Sequence, residues 1–139
     1  MCIRDSYKGK HTGTFGALGT ISFNGNKIMT TGGGGMILAS EALAIRAKHL
    51  TTTAKKPHPF EYVHDELGYN YRLPNLNAAL GCAQLEQLET FIEAKRALAA
   101  AYKGFFAGTG LEFVTEPADC RSNYWLNACL LYTSPSPRD

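Results

Sequence analysis

The first forty residues show an alternation of side-chain positions that is typical of β-structure. Residues 17–23 alternate, with Ala17, Gly19, Ile21 and Phe23 on one side and Leu18, Thr20 and Ser22 on the other. This alternation predicts a strand. Residues 36–39 are apolar and predict a second, shorter strand. The link between them opens with Asn24-Gly25, a dipeptide that tolerates positive φ. The chain is therefore expected to reverse directly after the first strand, with Lys27 just past the reversal.

Two helices are predicted further along the chain. Ser40 stands in the N-cap position before residues 41–48, where an early acid and late bases agree with the polarity of the helix dipole. Pro74-Asn75 opens a longer segment with a helical spacing of apolar residues. We expect this segment to be one long helix that ends near Gly104 or Gly108. A final strand is predicted around residues 111–114.

The stretch between the two predicted helices has no hydrophobic period. Residues 51–73 contain a run of threonines, a Lys-Lys-Pro-His-Pro string and several aromatic residues. Irregular segments of this length are uncommon in compact domains and usually serve a function. This crossing loop, residues 51–73, is therefore predicted to form part of a site.

Composition excludes several partners. The 139 residues are 45% hydrophobic, which suits one domain with a real core. The 14 lysines and arginines are nearly balanced by 12 acids and form no basic stripe, so we expect no nucleic-acid partner. The longest apolar run, residues 97–102, is far short of the ~20 residues of a membrane-spanning helix. No secretory signal is visible at the N-terminus, so a cytoplasmic location is expected.

Cysteine spacing and short motifs exclude further classes of site. Cys2, Cys82, Cys120 and Cys129 form no C-x-x-C pair and no metal-ligand spacing, so free thiols are expected, with a disulfide as the alternative, and no metal. The P-loop, zinc-protease and nucleophile-elbow motifs are absent from the sequence. Nucleotide hydrolysis and zinc proteolysis are therefore not expected.

Two strings of residues carry a specific resemblance. The first is Ser-Phe-Asn-Gly-Asn-Lys at residues 22–27, followed by Thr-Thr-Gly-Gly-Gly-Gly-Met at residues 30–36. The second is Leu-Gly-Tyr-Asn-Tyr-Arg-Leu-Pro-Asn-Leu-Asn-Ala-Ala-Leu-Gly at residues 67–81, followed by Gln84-Leu85. In this order they resemble the DegT/DnrJ/EryC1/StrS family of pyridoxal phosphate (PLP)-dependent sugar aminotransferases. The Asn-Gly-Asn-Lys and Gly-Gly-Gly-Gly residues of the first string are most similar to the branch that acts on 4-keto amino-sugar nucleotides in legionaminic acid and bacillosamine synthesis.

The resemblance covers residues 7–128 and implies an α/β fold, the fold-type-I class of PLP-dependent transferases. Residues 7–75 would be the end of the cofactor-binding large domain, and residues 76–128 the long helix and the start of the small C-terminal domain. Residues 1–6 and 129–139 resemble translated adapter sequence and are predicted to be non-native. The family's phosphate-binding Gly-Thr segment, stacking aromatic residue and pyridine-pairing aspartate belong before Tyr7, so Asp5 is not that aspartate.

The resemblance also implies roles for residues of the first string. Lys27 would bond covalently to the cofactor aldehyde and, once freed by the amino donor, carry a proton between the donor's α-carbon and the cofactor. Ser22 would hydrogen-bond the cofactor phosphate of its own subunit. On local sequence alone, Lys27 would be a solvated turn residue and Ser22 an ordinary strand hydroxyl.

The crossing loop would complete the site. Asn70 is similar to the family asparagine that reaches the cofactor phosphate of the neighbouring subunit, which implies a homodimer with shared sites. Arg72, Tyr69 and His64 are candidates for binding the substrate. A turn role for Asn70 and a structural ion pair for Arg72 are the alternatives.

The resemblance implies a reaction as well. A related dehydratase branch carries histidine in place of the lysine, so Lys27 favours amino transfer, from glutamate to a keto nucleotide sugar for surface polysaccharide. Gly33 and Asn24 depart from the glutamate and histidine of many members, and both changes fit the amino-sugar branch. The alternatives are a non-catalytic binding or regulatory member of the same fold, or a chain that is inactive by itself because the upstream half of the site is missing.

Overall fold

A computed structural model describes residues 5–131 of the chain. Within that range the strands are β1 (Ser6–Tyr7), β2 (Lys10–His11), β3 (Leu18–Ser22), β4 (Gly35–Ala39), β5 (Glu112–Phe113), β6 (Cys120–Arg121) and β7 (Cys129–Leu130). The helices are α1 (Glu41–Thr51), α2 (Asn75–Glu86) and α3 (Leu88–Phe106). The strands form three small sheets, in the orders β2-β1-β6, β3-β4 and β5-β7.

The central element is the antiparallel β3–β4 hairpin. Leu18 pairs with Ala39 at its open end and Ser22 with Gly35 at the end next to the connecting loop. Both strands agree with the sequence prediction. The chain reverses through residues 23–34, and the positive φ values in this connection occur at Gly32 and Gly34 rather than at Asn24-Gly25. The strand predicted around residues 111–114 is also present, as β5.

The chain ends contribute short strands. Ser6 in β1 pairs with Arg121, and Cys129 in β7 pairs with Phe113. These residues belong to the two ends predicted to be non-native, and residues 1–4 and 132–139 of those ends lie outside the described range. That the ends are non-native stays a prediction.

Helix α1 begins directly after Ser40, the predicted N-cap residue, but the Ser40 side chain does not cap it. The Ser40 carbonyl accepts a hydrogen bond from the Ala44 N–H at 2.8 Å, but the Ser40 side chain makes no capping hydrogen bond. The helix continues to Thr51, three residues past the predicted end. Its last turn is extended by the Thr51 hydroxyl, which donates to the Ala47 carbonyl at 2.8 Å.

The prediction of one long helix from residue 75 was wrong, because the chain leaves helical geometry at Gln87. Its φ of −108° and ψ of 1° separate α2 from α3, and its N–H caps the carbonyls of Gln84 and Leu85. After this break α3 begins at Leu88, and Leu88 and Ile92 are buried. The C-terminal end agrees with the sequence, since α3 stops at Phe106 and Gly108 follows with a φ of +79°.

The buried core joins the hairpin to α3. It consists of Ile21, Phe23, Met29, Leu88 and Ile92. The first three belong to β3 and the loop after it, and the last two to the first turns of α3. Burial of large apolar side chains contributes about 1.5–3 kcal/mol each, so this cluster fixes the loop after β3 against α3.

The predictions of free thiols and of no membrane-spanning helix can be checked in residues 5–131. Cys82, Cys120 and Cys129 are free thiols, as expected, and Cys2 lies outside this range. In the same range no helix is both long and apolar enough to cross a membrane.

The C-terminal segment is tied to α3 by a part-buried ion pair. Arg96 donates to both carboxylate oxygens of Glu116, at 2.9 and 2.7 Å, and to the Ser122 carbonyl at 2.6 Å. The Ser122 N–H donates to Glu116 at 2.6 Å. Hydrogen bonds from Arg96 hold the pKa of the Glu116 carboxyl below its ordinary value of 4.5, against the opposing effect of burial.

We expect Glu116→Gln to lower the free energy of unfolding by about 1–2 kcal/mol at pH 7, because a charge-assisted bidentate pair is lost. A carboxyl with a depressed pKa stabilises the fold above its unfolded-state pKa, and this stabilisation disappears as the pH falls through the lower folded-state value. Urea denaturation of the complete protein should therefore show the difference between wild type and variant shrinking as the pH falls below the ordinary glutamate pKa of 4.5. The control is Glu93→Gln, an exposed change on α3, the helix that carries Arg96, and it should stay within about 0.5 kcal/mol of wild type. A difference between wild type and Glu116→Gln that is constant at all pH values would contradict the assignment.

Candidate active site

The lysine loop, residues 23–34, is closed by hydrogen bonds around Phe23. The Phe23 N–H donates to the Gly34 carbonyl at 3.0 Å. The Phe23 carbonyl accepts from the Thr31 N–H at 3.0 Å and from the Thr30 hydroxyl at 3.1 Å. Phe23, Met29 and Thr31 are buried. A glycine is needed at position 34, where φ is +90°. The loop is therefore a folded element with a defined shape.

Lys27 is presented by a tight turn within this loop. Its N–H donates to the Asn24 carbonyl at 3.0 Å, and the Asn24 side chain donates to the Asn26 side chain at 3.3 Å. Ser22, at the end of β3, accepts from the Asn24 N–H at 3.3 Å through its hydroxyl oxygen. Lys27 is half-buried, and its Nζ lies 3.5 Å from the centre of the Trp125 ring. No carboxylate within residues 5–131 forms an ion pair with it.

The two strings that carry the family resemblance meet in space. Helix α2 lies under the lysine loop, where the Asn77 side chain donates to the Thr31 carbonyl and the Gln84 side chain accepts from the Thr30 N–H at 3.4 Å. Gly81 lets α2 approach the lysine loop closely, because a Cβ at this position would lie 3.0 Å from the Thr31 methyl group. The second string therefore supports the loop that holds the lysine.

The crossing loop is held along the end of α1 by backbone hydrogen bonds. The Tyr69 N–H donates to the Leu50 carbonyl at 2.7 Å, and the Tyr71 N–H to the Thr51 carbonyl at 2.9 Å. Asn70 lies between these bonds and forms a β-bridge with Thr52. The loop is therefore ordered around Asn70 although it contains no helix and no named strand.

The other loop candidates have local contacts. The Arg72 guanidinium donates to the Thr52 carbonyl at 3.4 Å, and the Nδ1 atom of His64 lies 2.6 Å from the Thr53 carbonyl. The Tyr69 ring stacks on the Tyr71 ring at 5.3 Å between centroids. All three candidates are exposed, so each retains a face that is open to a ligand.

Charged residues add a second anchor between α1 and the crossing loop. Arg46 forms two hydrogen bonds with the Glu66 carboxylate, and His49 Nε2 lies 2.7 Å from Asp65. The pKa of Asp65 is lowered mainly by its hydrogen bond with His49, and that of Glu66 mainly by Arg46. His49, Asp65 and Glu66 offer ligand atoms within 4.8 Å of one another, but Arg46 already contacts both Glu66 oxygens. The cluster therefore has the properties of an ion-pair network that fixes the loop.

The predicted site residues fall into two separate groups. Lys27 and Ser22 lie on the hairpin, whereas His64, Tyr69, Asn70 and Arg72 lie on the crossing loop. A cavity of about 770 Å³ lies between the hairpin, α1 and the end of the crossing loop; Arg72 lines it and Lys27 does not. No hydrogen bond or ion pair joins the two groups within residues 5–131. A single copy of the chain does not bring them together.

Trp125 is the site residue that the sequence analysis missed. Its ring faces the Lys27 amine, and its Nε1–H donates to the Asn26 carbonyl. It is the only tryptophan in the chain, which is the one signal that pointed to it beforehand. The 99 positions between Trp125 and Asn26 hid the contact from any local pattern.

Solved structures share this arrangement of hairpin, crossing loop and helices. Spr1654 of Streptococcus pneumoniae, in its PLP form, matches with a TM-score of 0.86 at 19% identity, covering 94% of this chain and 35% of that chain. Likeness at this identity establishes the fold. The fold is that of the fold-type-I PLP-dependent transferases, as the resemblance implied.

The chain belongs to the DegT/DnrJ/EryC1/StrS aminotransferase family, which it matches over residues 3–138. EpsN of Bacillus subtilis (strain 168), whose name assigns it to the pyridoxal phosphate-dependent aminotransferases, is 44% identical over 135 residues, 96% of this chain and 34% of EpsN. The GDP-perosamine synthase of Escherichia coli O157:H7 is 42% identical over 129 residues, 92% of this chain and 35% of that protein. The chain therefore spans about a third of the length of these relatives.

The residues of the lysine loop fit the cofactor of this family. An amine without a carboxylate partner in the described range is available to bond to an aldehyde, whereas an ion-paired lysine would be held in its charged form. The Ser22 hydroxyl accepts one backbone hydrogen bond and keeps its own proton to donate to a phosphate oxygen. The chemistry of these two side chains therefore suits PLP.

The close approach of Gly68 to Thr53 and Ala54, just after α1, predicts a specific weakness of the crossing loop. A Cβ at this position would lie 2.5 Å from the Ala54 nitrogen, so Gly68→Ala must push the loop away. Overpacking of this kind costs about 1–3 kcal/mol, and we expect exchange of the Tyr69 and Tyr71 amides to be at least about tenfold faster. Hydrogen exchange with mass spectrometry of peptides from residues 64–73 measures this.

The matched control is Gly104→Ala on α3, where an added Cβ meets nothing within 4 Å. It should leave the exchange of residues 64–73 unchanged. Equal exchange in Gly68→Ala and wild type would show that the loop is not held by this contact.

Proposed function

We propose that the complete protein is a PLP-dependent aminotransferase that moves an amino group, from glutamate, to a 4-keto nucleotide sugar in surface polysaccharide biosynthesis. The observation that carries the proposal is the half-buried Lys27 amine, presented by a closed loop with no acid paired to it in the described range. The names of EpsN and of the GDP-perosamine synthase support the same activity. The proposed location is the cytoplasm.

The chain's own residues divide the chemical work. PLP, when bound, supplies an aldehyde for covalent attachment and an electron-withdrawing ring. Lys27 would be the residue that holds the aldehyde carbon, and its amine, when freed by the amino donor, would carry the proton between the donor's α-carbon and the cofactor's C4′ position. Ser22 donates its hydroxyl proton to the phosphate and fixes the ring relative to Lys27. The hydrogen bonds that close the lysine loop would keep Lys27 at a fixed position relative to Ser22.

A homodimer with shared sites accounts for the separation of the two groups of residues. In this proposal Asn70 binds the cofactor phosphate of the neighbouring subunit, and Arg72, Tyr69 and His64 contact the nucleotide sugar there. The crossing loop also exposes large apolar side chains, among them Phe60 at 86% and Tyr62 at 80%. Apolar surface of this kind marks an interaction site, which supports a partner on this face.

We expect the complete protein to show the visible absorbance band of a lysine-bound cofactor, and borohydride reduction to remove the band and leave the label on Lys27. Lys27→Ala should abolish the band and lower turnover by at least about 10³-fold, because both the attachment point and the proton carrier are lost. Peptide mapping and an amino-transfer assay with a keto nucleotide sugar measure these outcomes.

Lys103→Ala, at an exposed position on α3, is the matched control and should keep both band and turnover. A well-folded protein that takes up no cofactor would instead favour a non-catalytic member of the same fold. Full turnover by Lys27→Ala would also contradict the proposal.

Sharing of sites predicts complementation between two inactive variants. Lys27→Ala and Asn70→Ala are each expected to lose most activity, but a mixed dimer contains one site with both residues intact. Random pairing after co-refolding should restore about a quarter of wild-type turnover.

The control pairs Lys27→Ala with Ser22→Ala, whose altered residues belong to the same subunit's site. No intact site forms in that mixture, so its turnover should not exceed the mean of its parents. Absence of recovery in the first mixture would show that Asn70 acts within its own subunit or not at all.

A further inference from the structure

The indole of Trp125 lies directly against the Lys27 amine. The Nζ atom is 3.5 Å from the ring centre, well inside the range in which an aromatic face attracts a cation. The Trp125 Nε1–H donates to the carbonyl of Asn26, the residue next to the lysine. One side chain therefore contacts both the reactive group and the backbone that carries it.

The turn that presents Trp125 is held by its own hydrogen bonds. The Asn123 side chain accepts from the Trp125 N–H at 2.9 Å, and the Ser122 hydroxyl accepts from the Tyr124 N–H at 3.0 Å. Tyr124 has a φ of +46°, which a non-glycine residue adopts only at a cost. The Arg96 guanidinium fixes the start of the turn through the Ser122 carbonyl.

The Tyr124 side chain holds this strained residue in place. Its hydroxyl accepts from the Glu116 N–H at 3.0 Å, and the Arg96 guanidinium lies 5.4 Å from its ring centre. Strained backbone persists only where surrounding contacts impose it, and it concentrates at functional sites. The next residue in this turn, Trp125, contacts the lysine loop.

We propose that Trp125 is a positioning residue for Lys27, which holds the amine on its indole face whenever the amine is not covalently engaged. The inference rests on the proposed function, in which the amine is freed and re-engaged in every turnover. A freed lysine side chain has four rotatable bonds, and a surface that holds its end near the reacting atoms reduces the conformations it must search. The indole holds the end of the lysine side chain without a carboxylate bound to the amine in the described range.

The first test measures the amine in cofactor-free, full-length protein. Reductive methylation with formaldehyde and cyanoborohydride, followed by peptide mass spectrometry, gives the labelling rate of Lys27. In Trp125→Leu we expect this rate to rise about fivefold, because the cover and the cation–π contact are both lost. Trp125→Phe keeps an aromatic face and should stay within about twofold of wild type. Exposed Lys103 serves as the internal standard.

The second test separates positioning from structure in the loaded enzyme. In Trp125→Leu we expect kcat to fall about tenfold while KM for the amino donor changes less than about twofold, with Trp125→Phe restoring most of kcat. Phe106→Leu is the matched control, because Phe106 lines the same apolar cavity as Trp125 but does not touch Lys27. It should keep the wild-type methylation rate and kcat.

Each outcome decides between the two proposals. Unchanged methylation and unchanged kcat in folded Trp125→Leu would overturn the role of Trp125. If that variant does not fold, Trp125→Met fills similar space without an aromatic face and is judged by the same criteria. Failure of wild type to bind cofactor at Lys27 would overturn the proposed function alone, since the methylation comparison on cofactor-free protein still tests the Trp125 contact.

Discussion

The shape of the candidate site depends on the burial of Phe23 and Met29 against the first turns of α3. Burial of these two side chains pulls the chain after β3 back on itself, and the Phe23 backbone then closes the loop through Thr31 and Gly34. The turn that carries Lys27 extends from this closed base and has little freedom of its own. The packing of one small apolar cluster therefore determines where the amine lies, while the hydrogen bonds define the path between.

The crossing loop is held by a different kind of interaction. Its one fully buried apolar side chain in the described range is the small Ala54, so it relies mainly on backbone hydrogen bonds to the end of α1 and on the Arg46–Glu66 and His49–Asp65 contacts. Such polar contacts fix direction more than they add stability. In the proposed homodimer this arrangement would leave the exposed apolar side chains of the loop available to the neighbouring subunit.

The parts predicted correctly from the sequence are those that depend on near neighbours. The two strands of the β3–β4 hairpin follow from the alternation, and the family from two strings of consecutive residues. The break at Gln87 was missed because every residue around it favours helix, and the burial of Leu88 and Ile92 with distant residues of the hairpin leaves no local signal. Trp125 was missed because its role arises from a contact 99 positions away.

The β3–β4 hairpin leaves two open sheet edges among the described residues. Within residues 5–131 neither strand has a second neighbour, and a two-stranded sheet is marginal in water. Open edges of this kind pair readily with any available strand. Packing of Phe23 and Met29 against α3 is therefore what stabilises the lysine loop within this chain, and a further strand along β3 or β4 would cover an edge rather than create the loop.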